Sequence, residues 1–210
     1  TFGSVDDLNA QPHEVRCKTH IYGAHNGNVT NCDDLKAWLT SEGHQVLSDN
    51  DGEMVVHTVE HYFAAELARG GVKSGDHAWR RSAMRAAILT AGTRLQGSYA
   101  AVIVDPVSRT LWAIKQGSSL YFGFGRADVG GEFAIASSDL SSVLKLTRVL
   151  VPMAEGEFME YTPESRQLYA IRERGTLRAG DPIDRQPTRS RLQAKDAALL
   201  HVPLTQDRDE

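Results

Sequence analysis

A few groups of residues in this sequence have the types and spacing to do chemistry. His57-Thr58-Val59-Glu60-His61 spells H-x-x-E-H, in which two imidazoles about one helical turn apart can share a metal ion. Cys32 falls at the predicted start of a helix, where a thiolate is favoured and could act as a nucleophile. Thr1 could attack with its own amine as base if its terminus were free. Asp51, in the stretch SDNDGE, stands at a loop-to-helix junction and reads as a helix cap or as an anion that holds a ligand. Asn26-Gly27, within GAHNGNVTNCDDLKAWL, reads first as a turn, because Asn-Gly is a favoured turn dipeptide.

The elements around these residues sort them. Val15 to Ala24 reads as a strand ending at the His25-Asn26-Gly27 turn, followed by a helix through Leu35, Trp38 and Leu39 that closes at Gly43. Thr30 with Asp33 resembles a capping box. A short strand at Gln45 to Leu47 leads to a helix from about Glu53 to Arg69, whose apolar face carries Met54, Val55, Val59, Tyr62 and Phe63. On a helical wheel His57 and His61 fall roughly opposite that face. They read as surface histidines without a third ligand, so no metal is expected. Cys32 reads as a structural cysteine, and Cys17 lies in a strand with no site signal.

A further helix, about Asp76 to Ala91, precedes strands at Ser98 to Val104, Thr110 to Lys115, Leu120 to Gly123 and Glu132 to Ala136. Ser138 is placed to cap a short helix from Asp139 to Leu146, and strands near Val149 to Tyr161 and Gln167 to Ile171 follow. Helices followed by many antiparallel-looking strands argue an α+β fold. Residues 1–172 read as one domain. Residues 173–210 are rich in Arg, Asp, Pro and Gln and read as a linker or peripheral tail.

Composition narrows the partners. The 210 residues are 41% hydrophobic and 24% charged, with a net charge of −4, which gives no general attraction to nucleic acid or an anionic membrane. No apolar run approaches the roughly 20 residues that cross a bilayer, and no basic-then-apolar leader stands at Thr1. The expectation is a cytoplasmic protein. Two cysteines make neither a disulfide scaffold nor a paired-cysteine zinc motif.

Read in order, NAQPH (Asn9 to His13), AHNGNVTNCDDLKAWLTSEGH and SDNDGE (Ser48 to Glu53) resemble the glutaminase domain of the class II glutamine amidotransferases. LQGSYAAVIVD, KQGSSLYFGFG and FAIASSDLSSVLKLTRVLVPMAEGEFMEY are similar to the glucosamine-6-phosphate synthase branch, while AHNGN and NAQP look equally like amidophosphoribosyltransferase. The resemblance covers roughly Thr1 to Ile171. It implies an N-terminal-nucleophile (Ntn) hydrolase fold: α+β, a four-layer αββα sandwich of antiparallel sheets, here lacking its first strands.

The resemblance also implies roles. Asn26 would donate through its side-chain amide and Gly27 through its backbone N–H to a tetrahedral oxyanion, each donor worth on the order of 3 kcal/mol. Asp51 would bind the substrate α-ammonium, and Thr1 the glutamine carboxylate. Phe2 stands in the substrate site where the family usually has His, removing one polar contact. The attacking group would be an N-terminal Cys preceding Thr1, so this chain alone is expected to release no ammonia.

L-glutamine is the implied ligand, no cofactor is needed, and a sugar-isomerase synthase domain or subunit is the implied partner. A homodimer is compatible with this, and neither nucleic acid nor membrane is involved. The acceptor would be fructose 6-phosphate. The competing reading is a nucleophile-less domain with a glutamine-binding, regulatory or structural role.

Overall fold

The computed structural model describes residues 7–71, 75–127 and 131–199. In chain order the elements are β1 (His13–Val15), β2 (Ile21–Val29), α1 (Cys32–Ser41), α2 (Asp51–Gly70), α3 (His77–Arg94), β3 (Gly97–Asp105), β4 (Thr110–Gln116), β5 (Tyr121–Ala127), β6 (Gly131–Ser137), α4 (Leu140–Leu146) and β7 (Val149–Val151). Strands β8 (Glu157–Tyr161), β9 (Arg166–Ala170), β10 (Pro182–Ile183) and β11 (Thr188–Arg189) and helix α5 (Ala194–Leu199) complete it. The chain divides into two compact units, residues 1–119 with 153–184 and residues 120–152 with 185–210.

The first unit is built on a seven-stranded antiparallel sheet in the order β1-β2-β3-β4-β8-β9-β10. Alternation along β2 sends Ile21, Gly23, His25 and Val29 to the buried face, against which α2 packs. Gly23 is required there: a Cβ would lie 2.6 Å from Val56 of α2. α2 in turn packs against α1 and α3. Its first ten residues, Asp51 to Glu60, are all buried, polar and apolar alike, as expected of a helix covered on every side. His57 is therefore not a surface residue: it is 2% exposed. The wheel ranked faces within α2 and could not register that neighbouring elements cover the polar face too.

Local differences from the sequence reading have simple causes. Asn31, not Thr30, precedes α1, and its side chain makes no capping bond. Residues 45–47 form no strand; their backbone is tied instead to Glu53, which accepts from Leu47 N–H. Asn50 is the N-cap of α2, accepting from Gly52 N–H at 2.8 Å, so Asp51 is freed from capping.

The second unit has a four-stranded antiparallel sheet, β11-β7-β5-β6. Asp139, not Ser138, caps α4 by accepting from Ser141 and Ser142 N–H, and Leu140 and Leu144 pack with Tyr121 and Leu150. The segment after Arg172, read as a tail, adds β10 to the first sheet and β11 to the second. Each is two residues long, too short to display a period of two.

Candidate functional site

Asn26 and Gly27 lie inside β2, not in a turn after it. The strand continues to Val29, with Asn26 opposite Ala100 and Gly27 opposite Tyr99 of β3. Pairing with β3, which runs along β2 from Tyr22 to Val29, has overridden the turn preference of Asn-Gly. Gly27 has φ +137, and a Cβ there would lie 2.1 Å from the Ser98 carbonyl oxygen and 2.7 Å from Ser118 Oγ. Only glycine satisfies both the dihedral and the close approach. Asn26 is exposed. Ser98, opposite Asn28 on β3, and Ser118 have their hydroxyls 3.1 Å apart.

Two loops hold this strand from the α2 side. The Gln11 side-chain carbonyl accepts from His25 N–H. The Asn9 carbonyl accepts from Asn50 Nδ2 at 3.0 Å, and Asn9 Oδ1 accepts from Asp49 N–H at 3.1 Å. NAQPH and SDNDGE, about 40 residues apart in the chain, are thus bonded to each other and to β2. Gly52 rests on His25, where a Cβ would lie 2.3 Å from Nδ1.

Asp51 sits where these parts meet and has no exposed surface. Its Oδ2 accepts from Val29 N–H at 2.9 Å, two residues beyond Gly27. The same oxygen is 3.3 Å from His25 Nε2, at ion-pair distance but without hydrogen-bond geometry. Asp51 Oδ1 has no hydrogen-bond partner among the described residues. A buried carboxyl oxygen left open is costly unless a donor reaches it. Burial holds the His25 imidazole below its ordinary pKa, against an upward pull from Asp51. Below Asp51, Glu53 accepts from Leu47 and Ser48 N–H and from Ser48 Oγ. Burial pushes its carboxyl up, but His57 and these donors outweigh it and hold it at about 2.

A cavity of about 470 Å³ opens beside the end of β2, lined by Asn28, Val29, Cys32, Asp33, Lys36 and Asp49 among others. Its size falls in the range of small-molecule sites. Cys32 is no activated thiolate: burial first, then Asp51 and Asp33, push its thiol up. The structure therefore brings Asn26, Gly27 and Asp51 onto one strand and the helix start bonded to it; Thr1 and Phe2 lie outside the described residues. Reading the sequence missed His25 and Gln11, whose parts depend on contacts between distant segments. The buried parity of β2 was the only signal for His25.

Residues 4–145 match the family described as a glutamine amidotransferase domain. Among curated relatives, glutamine--fructose-6-phosphate aminotransferase [isomerizing] of Thermotoga maritima is 30% identical over 170 residues, covering 80% of this chain and 24% of that protein. The Escherichia coli (strain K12) protein of the same name is 33% identical over 196 residues, covering 92% of this chain and 27% of its own length. The chain thus spans about a quarter of the curated relatives it matches. Among solved structures, a glutamine phosphoribosylpyrophosphate amidotransferase from B. subtilis aligns with a TM-score of 0.56 at 18% identity, over 81% of this chain and 34% of that one. The allosteric regulatory enzyme of purine biosynthesis aligns at 0.55 and 19%, over 80% of this chain and 32% of its own. At such identities the likeness is one of fold.

Proposed function

Because the chain belongs to the class II glutamine amidotransferase family and has its α+β Ntn-hydrolase fold, we propose that it carries the glutamine-hydrolysing site of an amidotransferase. In this reading the thiolate of an N-terminal Cys adds to the side-chain amide carbon of L-glutamine. The carbonyl electron pair moves onto oxygen, and the Asn26 amide and Gly27 N–H hold that oxyanion. The α-amino group of that Cys, which took the thiol proton, returns it to the leaving nitrogen, so collapse expels ammonia and leaves a thioester, which water cleaves to glutamate and the free thiol. Fixed donors aimed at developing charge cost no reorganisation in the reaction, and a site on a paired strand holds them more rigidly than a loop would.

Asp51 binds the α-ammonium through Oδ1, which has no hydrogen-bond partner among the described residues. Thr1 takes the carboxylate, and Phe2, where the family usually has His, offers the substrate one polar contact fewer. The ammonia passes to a sugar-isomerase synthase module, where fructose 6-phosphate becomes glucosamine 6-phosphate, the transfer suggested by the relatives' name.

The observation that carries this reading is Gly27, held at φ +137 in mid-strand with no room for a side chain, beside the exposed amide of Asn26. Steady-state glutaminase assays on the full-length protein test it. Asn26→Ala lowers kcat by about 100-fold or more with little change in glutamine binding, and unchanged turnover removes the oxyanion role. Full-length wild type that binds glutamine without releasing ammonia supports the binding-only role instead.

A further inference from the structure

We propose that Cys17 Sγ, His44 Nδ1 and His57 Nδ1, with the Glu60 carboxylate beside them, form a buried site for one zinc-type divalent ion, which joins the β1–β2 loop, the α1–α2 connection and α2. Among the described residues, Cys17, His44 and His57 bring one ligand atom each to within 4.8 Å of one another. His44 Nδ1 and His57 Nδ1 are 3.1 Å apart, and Cys17 Sγ is 3.8 Å from His57 Nδ1. A tetrahedral zinc with bonds of about 2.0–2.1 Å to nitrogen and 2.3 Å to sulfur sets its ligands roughly 3.3 Å (N to N) and 3.6 Å (N to S) apart. Glu60 Oε2, 3.4 Å from His44 Nδ1, lies beside this three-residue cluster as a neighbouring negative charge, and three protein ligands leave the fourth position for water.

The hydrogen bonds around the cluster place the protons on its outside. Glu53 Oε1, an acceptor, lies 3.2 Å from His57 Nε2, so Nε2 carries the proton and Nδ1 is a lone pair. Lys18 Nζ, which can only donate, is 3.3 Å from His61 Nδ1, making that nitrogen an acceptor. His44 Nε2, 3.1 Å from the same His61 atom, must then be the protonated nitrogen of its ring. With these tautomers His44 Nδ1 and His57 Nδ1 face each other as lone pairs, an arrangement that repels unless a metal ion or a shared proton lies between them.

Two further atoms point the same way. Glu60 has no exposed surface; its Oε1 accepts from Lys18 and Thr19 N–H, while Oε2 has no hydrogen-bond partner among the described residues. Gln45 N–H donates to Cys17 Sγ at 3.3 Å, the bond that supports a metal-bound thiolate. Thiolate and imidazole ligands select zinc over magnesium or calcium, and the charges of one thiolate and one carboxylate balance the dication. Glu53 completes a carboxylate–histidine–metal relay. Since Glu53 also holds Leu47 and Ser48, the ion fixes the loop that presents Asn50 and Asp51.

Metal analysis of the full-length protein, purified without a histidine tag and dialysed, tests this. About one zinc per chain is expected, with loss of nearly all of it in Cys17→Ala and His44→Ala and retention in Cys32→Ala. Glu53→Gln weakens zinc affinity by roughly 10–100-fold. Cobalt added to reduced, metal-free wild type gives a thiolate charge-transfer band and tetrahedral visible bands, a readout that needs no variant to fold. A wild-type protein that neither retains zinc nor develops the cobalt bands overturns the site and leaves a hydrogen-bonded histidine network.

Discussion

His25 Nε2 and Asp51 Oδ2 lie 3.3 Å apart with both side chains closed to solvent, and no hydrogen bond joins them. His25 precedes Asn26 on β2, and Asp51 opens α2, so this pair couples the strand that would hold the oxyanion to the helix that would hold the substrate ammonium. One carboxyl oxygen is spent on Val29 N–H, and the other has no partner among the described residues. Such an arrangement keeps a binding atom ready at the expense of stability.

Asp51→Asn separates those two roles. The amide keeps an acceptor for Val29 N–H and removes a carboxyl whose second oxygen has no partner, so the variant should be at least as stable as wild type in urea without ligand. Glutamine affinity should fall roughly 10–100-fold, the worth of a hydrogen bond to a charged group, with kcat little changed at saturation. Calorimetry showing equal affinity would take Asp51 out of the site.

Gly27→Ala should be costly and Gly43→Ala mild. Both glycines have positive φ, but a Cβ at Gly43 meets open space, whereas at Gly27 it meets backbone at 2.1 Å. The dihedral alone costs about 1–3 kcal/mol at a residue other than glycine. Urea unfolding of the two variants measures the difference. Equal destabilisation would mean that β2 moves away from β3 without penalty, and a rigid oxyanion site on it would be untenable.

What was legible in the sequence was local and ordered. Asn26-Gly27 and the SDNDGE stretch could be found by eye, and the helices survived because three or more turns of apolar spacing mark them. Misreadings arose where distant segments decide. Asn-Gly turned out to be mid-strand because β3 pairs with β2 through this step and on to Val29, and a dipeptide preference carries no information about neighbours. His57 was read as surface because the wheel sees one helix, while α1, α3 and the sheet surround it. Cys17, His44 and His57 are separated by 27 and 13 residues, with no fixed motif spacing; only the fold brings them together.

Acidification should destabilise the protein through histidines that burial holds below their ordinary pKa, His13, His44 and His61 among them, and a single variant isolates the share of His25. Its folded pKa lies below 6.5 because burial disfavours the imidazolium, partly offset by Asp51. Between the folded and unfolded values the unfolded chain binds more protons, so stability rises with pH there. That contribution is complete above pH 6.5 and is lost as pH falls below it. Unfolding free energies measured from pH 7 to 5 should slope less steeply in His25→Gln than in wild type. An unchanged slope would show that His25 carries no share of it.

The buried Arg80–Asp105 pair should behave as a unit that fastens α3 to the end of β3. Arg80 Nε donates to Oδ2 at 2.7 Å and Nη2 to Oδ1 at 2.8 Å, while Ser108 Oγ and N–H donate to Oδ2 as well. Burial pushes the Asp105 carboxyl up, yet Arg80 and Ser108 outweigh it and hold it below its ordinary value. Either single change, Arg80→Met or Asp105→Asn, leaves a buried group without its partner and should cost about 3–5 kcal/mol. The double variant should cost clearly less than the sum, because no uncompensated charge remains. β3 also carries Ala100 and Tyr99 opposite the Asn26-Gly27 step, so the single variants should lose any glutaminase activity of the full-length protein in proportion to unfolding and not beyond it. A urea double-mutant cycle that proved additive would mean that the two residues are stabilised independently, and β3 would then need another anchor.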